Sequence, residues 1–457
     1  MSDERCDLVS TIASKASRGP RYTSYPPATE LGPVSTERVE SEVAATLAGS
    51  DPIGLYVHIP FCQSLCAYCG CNVIPTRDKS RAHAYVDHLV TEMTLLARNA
   101  PTAPVTEIAL GGGSPNFLSP ILLWTLGGAI ERFFNVTSDA RKSIELDPRT
   151  TMSAHLETLG KLGFRSISLG VQDFAEPVQD AIRRHQSVAQ TRWLVEQARA
   201  HGANDINIDM VYGLPLQTES SFAKTLDSVI ELSPDRVAVF GYAHLPDKLP
   251  HQRIVERAGR LPDAHERAAL LVLAIERFTQ AGYVHVGLDH FARPGSAFEA
   301  AAREHRLVRT FQGYVERRAD SILGLGTSAI SSTPRMFWQN HTKLANWESD
   351  ITSLRLPVAR GIVLDRDDRV RRALIDHLMC DGEVALDRIS DLAGVDTEDY
   401  FARELDELKE MRDLVIYDAS RHRVQATPLG RLLVRNICMV FDRYRPDRES
   451  TRFSSTV

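Results

Sequence analysis

Between Gly54 and about residue 290, short β-rich runs alternate with amphipathic stretches. Seven runs have the composition of buried strands: 54–59, 106–110, 142–146, 166–171, 205–211, 236–240 and 283–288. The stretches between them place apolar residues on one helical face, as at Phe222, Leu226 and Val229. Strands that alternate with helices pair in parallel, so the pattern predicts an α/β fold. Six or seven such units favour a barrel, complete or incomplete.

Polar or glycine residues follow the predicted strands at the same end of each strand. The first strand is followed by a cysteine-rich loop, and the next five end at or before Gly111-Gly-Gly113-Ser114, Glu145, Gln172, Asp209 and Tyr242-Ala243-His244. The active site of a parallel barrel forms at the carboxyl ends of its strands. We therefore expect these groups to face one common mouth.

Four cysteines lie within ten residues after the first predicted strand, in a chain with only seven. Cys62, Cys66 and Cys69 have Cys-x-x-x-Cys-x-x-Cys spacing, and Cys71 follows. Thiolates this close can hold a metal ion or an iron–sulfur cluster. Zinc would need Cys71 or His58 as a fourth ligand, and a disulfide does not suit a chain without signs of export. The spacing favours a 4Fe–4S cluster with one open iron, and zinc stays an alternative.

Composition places the chain among ordinary globular proteins. Its 457 residues predict two or three domains, and 43% apolar with 25% charged residues is typical. A net charge of −6 gives no attraction to nucleic acid or acidic membranes. There is no run of 18 apolar residues, and the start Met1-Ser-Asp-Glu-Arg-Cys6 lacks a signal-peptide core. We expect a cytoplasmic protein that binds neither nucleic acid nor membrane.

We expect three segments: an N-terminal arm (1–50), a barrel (51–345) and a C-terminal domain (362–457). The arm carries the Pro/Gly-rich run 18–27 and a helix near 36–48. The C-terminal domain shows helical patterns at 369–379, 386–393 and 397–411, a hairpin-like pair at 414–417 and 422–426, and a helix from Pro428. This order is winged-helix-like. The 397–411 helix has six acidic and two basic residues, which disfavours DNA binding and favours a structural or lid role.

Several weaker motifs have a structural and a functional interpretation. The glycines 111–113 allow close approach of a ligand, but also suit a tight turn. Arg184 can pair with a cofactor carboxylate, although spacing alone favours a solvated helix face. The segment from Asp289 to Arg293, after the seventh strand, is a weak candidate for substrate contact, as is a predicted loop at 324–328. The remaining cysteines are expected to be inert: Cys6, Cys380 and Cys438.

The cysteine spacing, with aromatic Tyr68 before the third cysteine, resembles the radical S-adenosylmethionine (SAM) superfamily. In that superfamily the open iron chelates SAM, and transfer of one electron to the sulfonium releases a 5′-deoxyadenosyl radical. More closely, the chain resembles the oxygen-independent coproporphyrinogen III oxidases. The motifs that carry this resemblance span nearly the whole chain: 19–26, Tyr56–Asn72, 144–149, 170–174, 207–215, 242–246, 289–294, Phe311-Gln-Gly-Tyr314 and 435–439.

This resemblance implies a partial (β/α)6 TIM-like barrel with an N-terminal arm and a small, mainly helical C-terminal domain that helps to cover the site. It implies one 4Fe–4S cluster on Cys62, Cys66 and Cys69, and two SAM molecules. Cys71, which would not ligate iron, and Tyr56 are the implied catalytic residues. The implied cofactor-binding residues are Tyr56, Tyr68, Gly112, Gly113, Ser114, Glu145, Gln172, Arg184, Asp209, Ala243 and Ile330.

The implied reaction is oxidative decarboxylation of two propionates of coproporphyrinogen III to vinyl groups, which gives protoporphyrinogen IX in haem synthesis. The substrate is a tetracarboxylate and calls for arginines, for which Arg21, Arg293 and Arg309 are the candidates. The implied electron donor is a reduced flavodoxin- or ferredoxin-like protein, and we expect a monomer.

The sequence departs from the family pattern near the second SAM site. Ser114 and Asn116 stand where threonines are common, Leu110 replaces an aromatic residue, Tyr68 a phenylalanine and Gly241 an asparagine. Two other functions therefore stay open: a haem chaperone and a methyl-transferring radical SAM enzyme. The chaperone-like relatives tend to lack the Cys-Gly-Cys ending and the Arg-Tyr-Thr-Ser-Tyr-Pro arm, both of which are present here.

Overall fold

A computed structural model describes residues 3–310, 313–316, 319–445, 453 and 455–457. The Phe311-Gln312 part of one family motif lies outside the described residues. The strands are β1 (Ile53–Ile59), β2 (Phe61–Cys62), β3 (Ile74–Pro75), β4 (Pro104–Gly112), β5 (Asn135–Leu146), β6 (Ser166–Gln172), β7 (Asp205–Tyr212), β8 (Arg236–Gly241), β9 (Val284–Gly287), β10 (His290–Ala292), β11 (Leu307–Thr310), β12 (Gly313–Glu316), β13 (Ser321–Leu325), β14 (Ile330–Ser332), β15 (Met336–Asn340), β16 (Val358–Val363), β17 (Glu383–Ala385), β18 (Val415–Asp418) and β19 (Arg423–Ala426).

The α-helices lie mostly between the strands of the barrel and in the C-terminal domain. They are α1 (Asp3–Lys15), α2 (Thr36–Leu47), α3 (Ser80–Leu96), α4 (Pro120–Phe133), α5 (Ser153–Lys161), α6 (Glu176–Ile182), α7 (Val188–Ala200), α8 (Glu219–Leu232), α9 (Arg253–Ala258), α10 (Ala264–Gln280), α11 (Ala297–Arg303), α12 (Leu344–Thr352), α13 (Arg366–Asp381), α14 (Leu386–Ala393), α15 (Thr397–Tyr400), α16 (Ala402–Leu408), α17 (Pro428–Leu432) and α18 (Val434–Cys438). No helix among the described residues has the length and apolar character that a bilayer crossing requires.

One large sheet forms the barrel domain, with the strand order β16-β15-β14-β13-β1-β4-β5-β6-β7-β8-β10-β9. The strands from β13 to β8 in this order are parallel neighbours, and Tyr56 of β1 lies between Gly324 of β13 and Ala109 of β4. The outer strands pair antiparallel. The described sheet has two distinct ends, so the barrel is partial, as the family resemblance implied.

Six of the predicted strands are confirmed as the parallel strands β1, β4, β5, β6, β7 and β8. The seventh, 283–288, exists as β9, but the expectation of parallel pairing is wrong, because β9 and β10 form an antiparallel hairpin. The segment from Asp289 to Arg293 therefore lies within this hairpin. The predicted loop at 324–328 is wrong in part, since Gly324 and Leu325 end β13, which pairs in parallel with β1.

Alternation along the strands explains why the barrel interior is polar. In β7 the outward side chains Ile206, Ile208 and Met210 are fully buried beneath helices, while Asn207 and Asp209 point the other way. The helices cover the outside with the apolar faces predicted for them, as with Phe222, Leu226 and Val229 of α8. The polar side chains at alternate strand positions therefore point into the barrel.

The N-terminal arm runs between the barrel and the C-terminal domain. Tyr22 O–H donates to Asp442 Oδ2 at 2.9 Å, and Arg435 Nε donates to the carbonyl oxygen of Pro20 at 2.8 Å. In the C-terminal domain the sheet β17-β19-β18 confirms the predicted hairpin, whereas the predicted 397–411 helix is split into α15, α16 and a short turn. The domain boundaries themselves stay a prediction.

Candidate functional site

The cysteine loop is held from three sides at the carboxyl end of β1. The amide of Ala67 donates to the carbonyl of Ile182 at 2.9 Å, which ties the loop to the end of α6. His251 Nε2 lies 2.8 Å from the carbonyl oxygen of Cys69, and Gln252 Nε2 donates to that of Tyr68 at 3.0 Å. These bonds fix the backbone around the cysteines before any cofactor binds.

The thiols within the loop have different surroundings. Burial raises the pKa of Cys62 to about 11, and its Sγ lies 3.4 Å from Ser114 Oγ. A hydrogen bond with Cys71 lowers the pKa of Cys69 to about 7. Cys66 accepts N–H groups from Arg149 and Arg184, each at 3.6 Å. Cationic neighbours of this kind stabilise thiolates.

The glycine turn after β4 packs directly on the cysteine loop. Gly113 N–H donates to Ile59 O at 2.8 Å, and a Cβ at Gly113 would lie 2.8 Å from the Pro60 carbonyl group. Gly112 has a φ of +110°, and a Cβ there would lie 2.5 Å from the His58 ring. Side chains at both positions are therefore excluded by His58 and by the start of the cysteine loop, so these glycines allow the turn to pack tightly on that loop.

Two half-buried carboxylates, Glu145 and Asp209, lie close together inside the barrel. Glu145 Oε2 accepts the Gly112 N–H at 3.1 Å, and burial together with Asp209 raises the pKa of Glu145 to about 7. Asp209 accepts hydrogen bonds from Ser168 Oγ at 2.8 Å and Asn207 Nδ2 at 2.7 Å, and burial raises its pKa. Such a pair favours a ligand that brings positive charge or several hydrogen-bond donors.

Arg184 is buried, contrary to the solvated face that its spacing favoured. Its guanidinium contacts Cys66 Sγ, the carbonyl of Gly170 and Asp147 Oδ1, while its Nε has no hydrogen-bond partner among the described residues. Burial alone would raise the pKa of Asp147, but Arg184 and Arg149 hold it below its usual range. Arg149 was missed by the sequence reasoning, although it closes the motif that begins with Ile144 and Glu145.

Tyr56 and Ile330 lie beside the cavity rather than in its lining. Tyr56 O–H donates to His58 Nδ1 at 3.1 Å, and His58 Nε2–H donates to the Asn72 carbonyl at 3.0 Å, a tautomer assigned from these partners. Burial lowers the pKa of His58 to about 4, so the imidazole is neutral at pH 7. Ile330 begins β14, next to the strand that carries Gly324 opposite Tyr56.

The other predicted site residues meet around one cavity of about 600 Å³ inside the barrel. Those that line it are Cys62, Cys66, Tyr68, Cys69, Cys71, Gly112, Gly113, Ser114, Glu145, Gln172, Arg184, Asp209 and Ala243. Its floor is an ion-pair network in which Asp205 accepts from Arg141 at 3.0 Å and from Arg236 at 2.6 Å. The floor residues were not predicted from the sequence, although they occupy alternate positions on the same strands.

Two of the three candidate substrate arginines, Arg21 and Arg309, line this cavity. Arg309 Nε donates to the Arg21 carbonyl at 3.1 Å, and one terminal nitrogen of Arg309 is buried with no hydrogen-bond partner in the part of the chain that the structure describes. Asp289 lies 4.0 Å from Arg309. Burial alone would raise the pKa of Asp289, but His290, Arg309 and Arg21 lower it. The guanidinium groups of buried Arg309 and half-buried Arg21, with one carboxylate beside them, leave this wall positively charged.

Arg293 does not reach the cavity. It bonds the hydroxyl oxygen of Ser233 at 2.5 Å and lies 3.6 Å from Asp235, at the amino end of β8. The antiparallel direction of β10 carries Arg293 to that opposite end. His290, which the sequence marked only weakly, lines the cavity instead.

The donor set fits a 4Fe–4S cluster with SAM. Among the described residues, no three His, Cys, Asp or Glu side chains are arranged to hold a single metal ion. A cubane is larger than one ion and takes each thiolate on a separate iron. The cationic groups at Cys66, the glycine turn and the half-buried Glu145 suit an anionic cluster beside a ligand that carries an amine and a carboxylate.

Comparison with known proteins agrees with this chemistry. The model of the radical SAM superfamily matches residues 56–229. The oxygen-independent coproporphyrinogen III oxidase of Pseudomonas aeruginosa is 39% identical over 446 residues, 96% of each chain. That of Salmonella typhimurium is 38% identical over 459 residues, 100% of each chain. The chain belongs to the oxygen-independent coproporphyrinogen III oxidases. A solved structure of the Escherichia coli coproporphyrinogen III oxidase, described as a radical SAM enzyme, matches with 39% identity and a TM-score of 0.89, over 93% of this chain and 97% of that one.

As an oxygen-independent coproporphyrinogen III oxidase, the chain is an oxidoreductase of haem biosynthesis. The predicted α/β fold and the helical C-terminal region are confirmed by the match to the E. coli structure. The family also implies the 4Fe–4S cluster and SAM that were predicted as cofactors. The number of SAM molecules and the role of each residue belong to the proposal below.

Proposed function

We propose that this coproporphyrinogen III oxidase holds its cluster through Cys62, Cys66 and Cys69 and binds two SAM molecules in the cavity beside it. When bound, the cluster and SAM would supply a 5′-deoxyadenosyl radical able to take a hydrogen atom from a substrate propionate, and loss of CO2 with transfer of one electron to an external one-electron acceptor would complete the vinyl group. The observation that carries the proposal is the convergence of the three cysteines, the glycine turn and Glu145 on one buried cavity. Enclosure matters because such a radical attacks almost any C–H bond.

Glu145 and the glycine turn would receive the methionine end of the first SAM. The carboxylate would accept N–H donors from the SAM amine, and the Gly112 backbone, whose N–H donates to the same carboxylate, would lie beside it. Tyr56 and Ile330 would act from the neighbouring strands by supporting this side of the site. Cys71 would take a catalytic role, which is supported by its position in the cavity lining and by the hydrogen bond between its thiol and Cys69.

A second group of cavity-lining residues would bind the second SAM molecule. Asp209 on β7 would bind ribose hydroxyls, and Gln172 and Arg184 would bind polar groups between the two molecules. Tyr68, Gly113, Ser114 and Ala243 complete the wall. Ser114 keeps a hydroxyl where the family commonly has threonine, so the hydrogen-bonding function is preserved.

Arg21 and Arg309 would bind substrate carboxylates. One terminal nitrogen of buried Arg309 lies 4.0 Å from Asp289 and has no hydrogen-bond partner among the described residues, so a propionate would supply its acceptor. Phe240, Tyr242 and Tyr314 give the same region aromatic surface for the tetrapyrrole. The carboxylates would thus orient the reacting carbon toward the SAM site, as near-attack geometry requires.

A reduced flavodoxin- or ferredoxin-like protein would supply the electrons, and the chain would act as a monomer. The cytoplasmic location stays a prediction from the sequence.

Anaerobic reconstitution tests the proposal. With iron, sulfide, SAM, dithionite and coproporphyrinogen III, we expect protoporphyrinogen IX and two molecules of 5′-deoxyadenosine for each product molecule. Equilibrium binding should give two SAM molecules per chain in the wild type and fewer in Asp209→Asn. S-adenosylhomocysteine as the main product, or stoichiometric haem binding without deoxyadenosine, would reject the proposal in favour of the methyl-transferring or chaperone function.

A further inference from the structure

An apolar surface patch lies beside the cysteine loop, on the first turns of α4 and α5. We infer that this patch, formed by Ile121, Trp124 and Met152, is the docking surface for an acidic one-electron carrier protein of the flavodoxin type. Each docking event oxidises the carrier by one electron and reduces the cluster by one. The inference rests on the proposed function, because each SAM cleavage there needs one electron from outside the chain.

The three side chains are far more exposed than their neighbours. Ile121 is 77% exposed and Trp124, one turn later on α4, is 53% exposed, while Leu122 and Leu123 between them are buried. Met152 at the start of α5 is 54% exposed. Large exposed apolar side chains that occur together mark interaction sites, and aromatic residues and methionine are enriched in interfaces.

His155, on the first turn of α5, ties the start of that helix to the segment that enters α4. The His155 Nδ1 accepts the Met152 N–H at 3.1 Å, and its Nε2 bonds the Leu118 carbonyl at 3.0 Å, just before α4. Asn116 also joins the two segments, since its Nδ2 donates to Thr151 Oγ1 at 3.0 Å. The start of α5 is therefore fixed against the chain that enters α4.

The chain segments before α4 and before α5 both contact the cysteine loop. On the α4 side, Ser114 Oγ lies 3.4 Å from Cys62 Sγ, and the Phe117 ring packs on Phe61 with centroids 5.3 Å apart. On the α5 side, Arg149 precedes Met152 by three residues and donates to Cys66 Sγ. A carrier docked on the patch would therefore lie on chain segments that contact the cysteine loop.

The charge beside the patch selects an acidic partner. Three basic side chains are exposed there, Arg77 and Lys79 before α3 and Arg81 in its first turn, with Asp78 as the one acidic residue among them. Lys79 is anchored at this site, because its Nζ donates to the Phe117 carbonyl at 2.7 Å and lies 3.7 Å from the centroid of the Phe117 ring. A small apolar patch with a basic border suits a transient electron-transfer encounter that is steered by charge.

Trp124→Glu tests the inference, with Trp193→Glu on α7 as a matched control, since Trp193 is also exposed, at 41%. The probe is purified flavodoxin reduced before mixing, and the readout is the initial rate of 5′-deoxyadenosine formation against flavodoxin concentration. We expect kcat/KM for flavodoxin to fall about tenfold in Trp124→Glu and to stay unchanged in the control. With dithionite in place of flavodoxin, all three proteins should react at the same rate.

A charge reversal gives a second readout. Arg77→Glu should lower kcat/KM for flavodoxin more at low salt than at high salt, whereas Lys224→Glu on α8 should not. An unchanged flavodoxin dependence in Trp124→Glu would overturn the inference, as would an equal loss with dithionite. A change from dimer to monomer in light scattering, with the flavodoxin rate unchanged, would make the patch a self-interface. No deoxyadenosine from the wild type with dithionite would instead overturn the proposed function, and this inference with it.

Discussion

Replacing Arg309 by methionine should weaken substrate binding and leave SAM binding intact. Arg309 is buried at the cavity wall, with its guanidinium 4.8 Å from the Tyr314 ring centroid. One terminal nitrogen has no hydrogen-bond partner among the described residues. Methionine keeps much of the side-chain volume but removes the charge and all donors.

The expected magnitude follows from this geometry. The folded protein has already removed the Arg309 guanidinium from water, so a propionate that bonds it gains a charge-assisted hydrogen bond without that further cost. Such a bond contributes about 1.5–3 kcal/mol, which corresponds to about 10- to 150-fold in a dissociation constant. Asp289 should tolerate the change, because His290 Nδ1 lies 2.6 Å from its Oδ1 and stays in place.

The assay is quenching of intrinsic fluorescence by coproporphyrin III, the oxidised form of the substrate, together with steady-state kinetics. We expect the dissociation constant and KM to rise together, and SAM affinity to stay at the wild-type value. Arg303→Met is the control, because its side chain is 64% exposed on α11. Wild-type affinity for coproporphyrin III in Arg309→Met would refute the assignment, as would an equal loss in both variants.

Three further predictions concern buried groups. Glu145→Gln keeps an acceptor for the Gly112 N–H but removes the charge, so SAM affinity in anaerobic equilibrium dialysis should fall about tenfold; unchanged affinity would argue against an amine at Glu145. Gly112→Ala places a Cβ 2.5 Å from the His58 ring at a φ of +110°, so thermal unfolding should show a free energy of unfolding that is lower by about 1–3 kcal/mol. Gly128→Ala, with open space around its Cβ, should show no such loss. Burial raises the pKa of Glu92 from its usual 4.5 to about 8. Between these pH values the folded state binds a proton that the unfolded state has released, so the free energy of unfolding falls as the pH rises from 4.5 to 8. The melting temperature of the wild type should therefore fall relative to Glu92→Gln from pH 5 to pH 8, and a constant difference between the two would contradict the assigned burial effect.

The parallel core could be predicted because each strand carries its own signal. In β7, apolar Ile206, Ile208 and Met210 alternate with polar residues, so strand and facing are both visible locally. Strand β13 was missed because it has only five residues and Gly324 interrupts its apolar run. Its partner β1 lies more than 250 residues earlier, and no local pattern encodes that pairing.

Site residues that directly follow the parallel strands could be predicted from the sequence. Residues whose position depends on the direction that the chain takes after those strands could not. Glu145, Asp209 and the glycine turn follow parallel strands, so their convergence followed from the fold. Arg293 and Arg309 looked equivalent in the sequence. The antiparallel direction of β10 sends Arg293 to the far end of the sheet, and β11 brings Arg309 to the cavity. Arg184 looked solvated because its burial depends on the cysteine loop, which is more than 100 residues away.

The most direct test of the cluster assignment is the electron paramagnetic resonance spectrum of the reduced, anaerobically reconstituted protein before and after addition of SAM. We expect the signal of a reduced 4Fe–4S cluster that changes when SAM binds, loss of that signal in Cys66→Ala, and retention of both signal and change in Cys71→Ala. A spectrum that SAM leaves unchanged, or a Cys66→Ala variant with the wild-type signal and response, would contradict a cluster held by Cys62, Cys66 and Cys69 with one iron open to SAM.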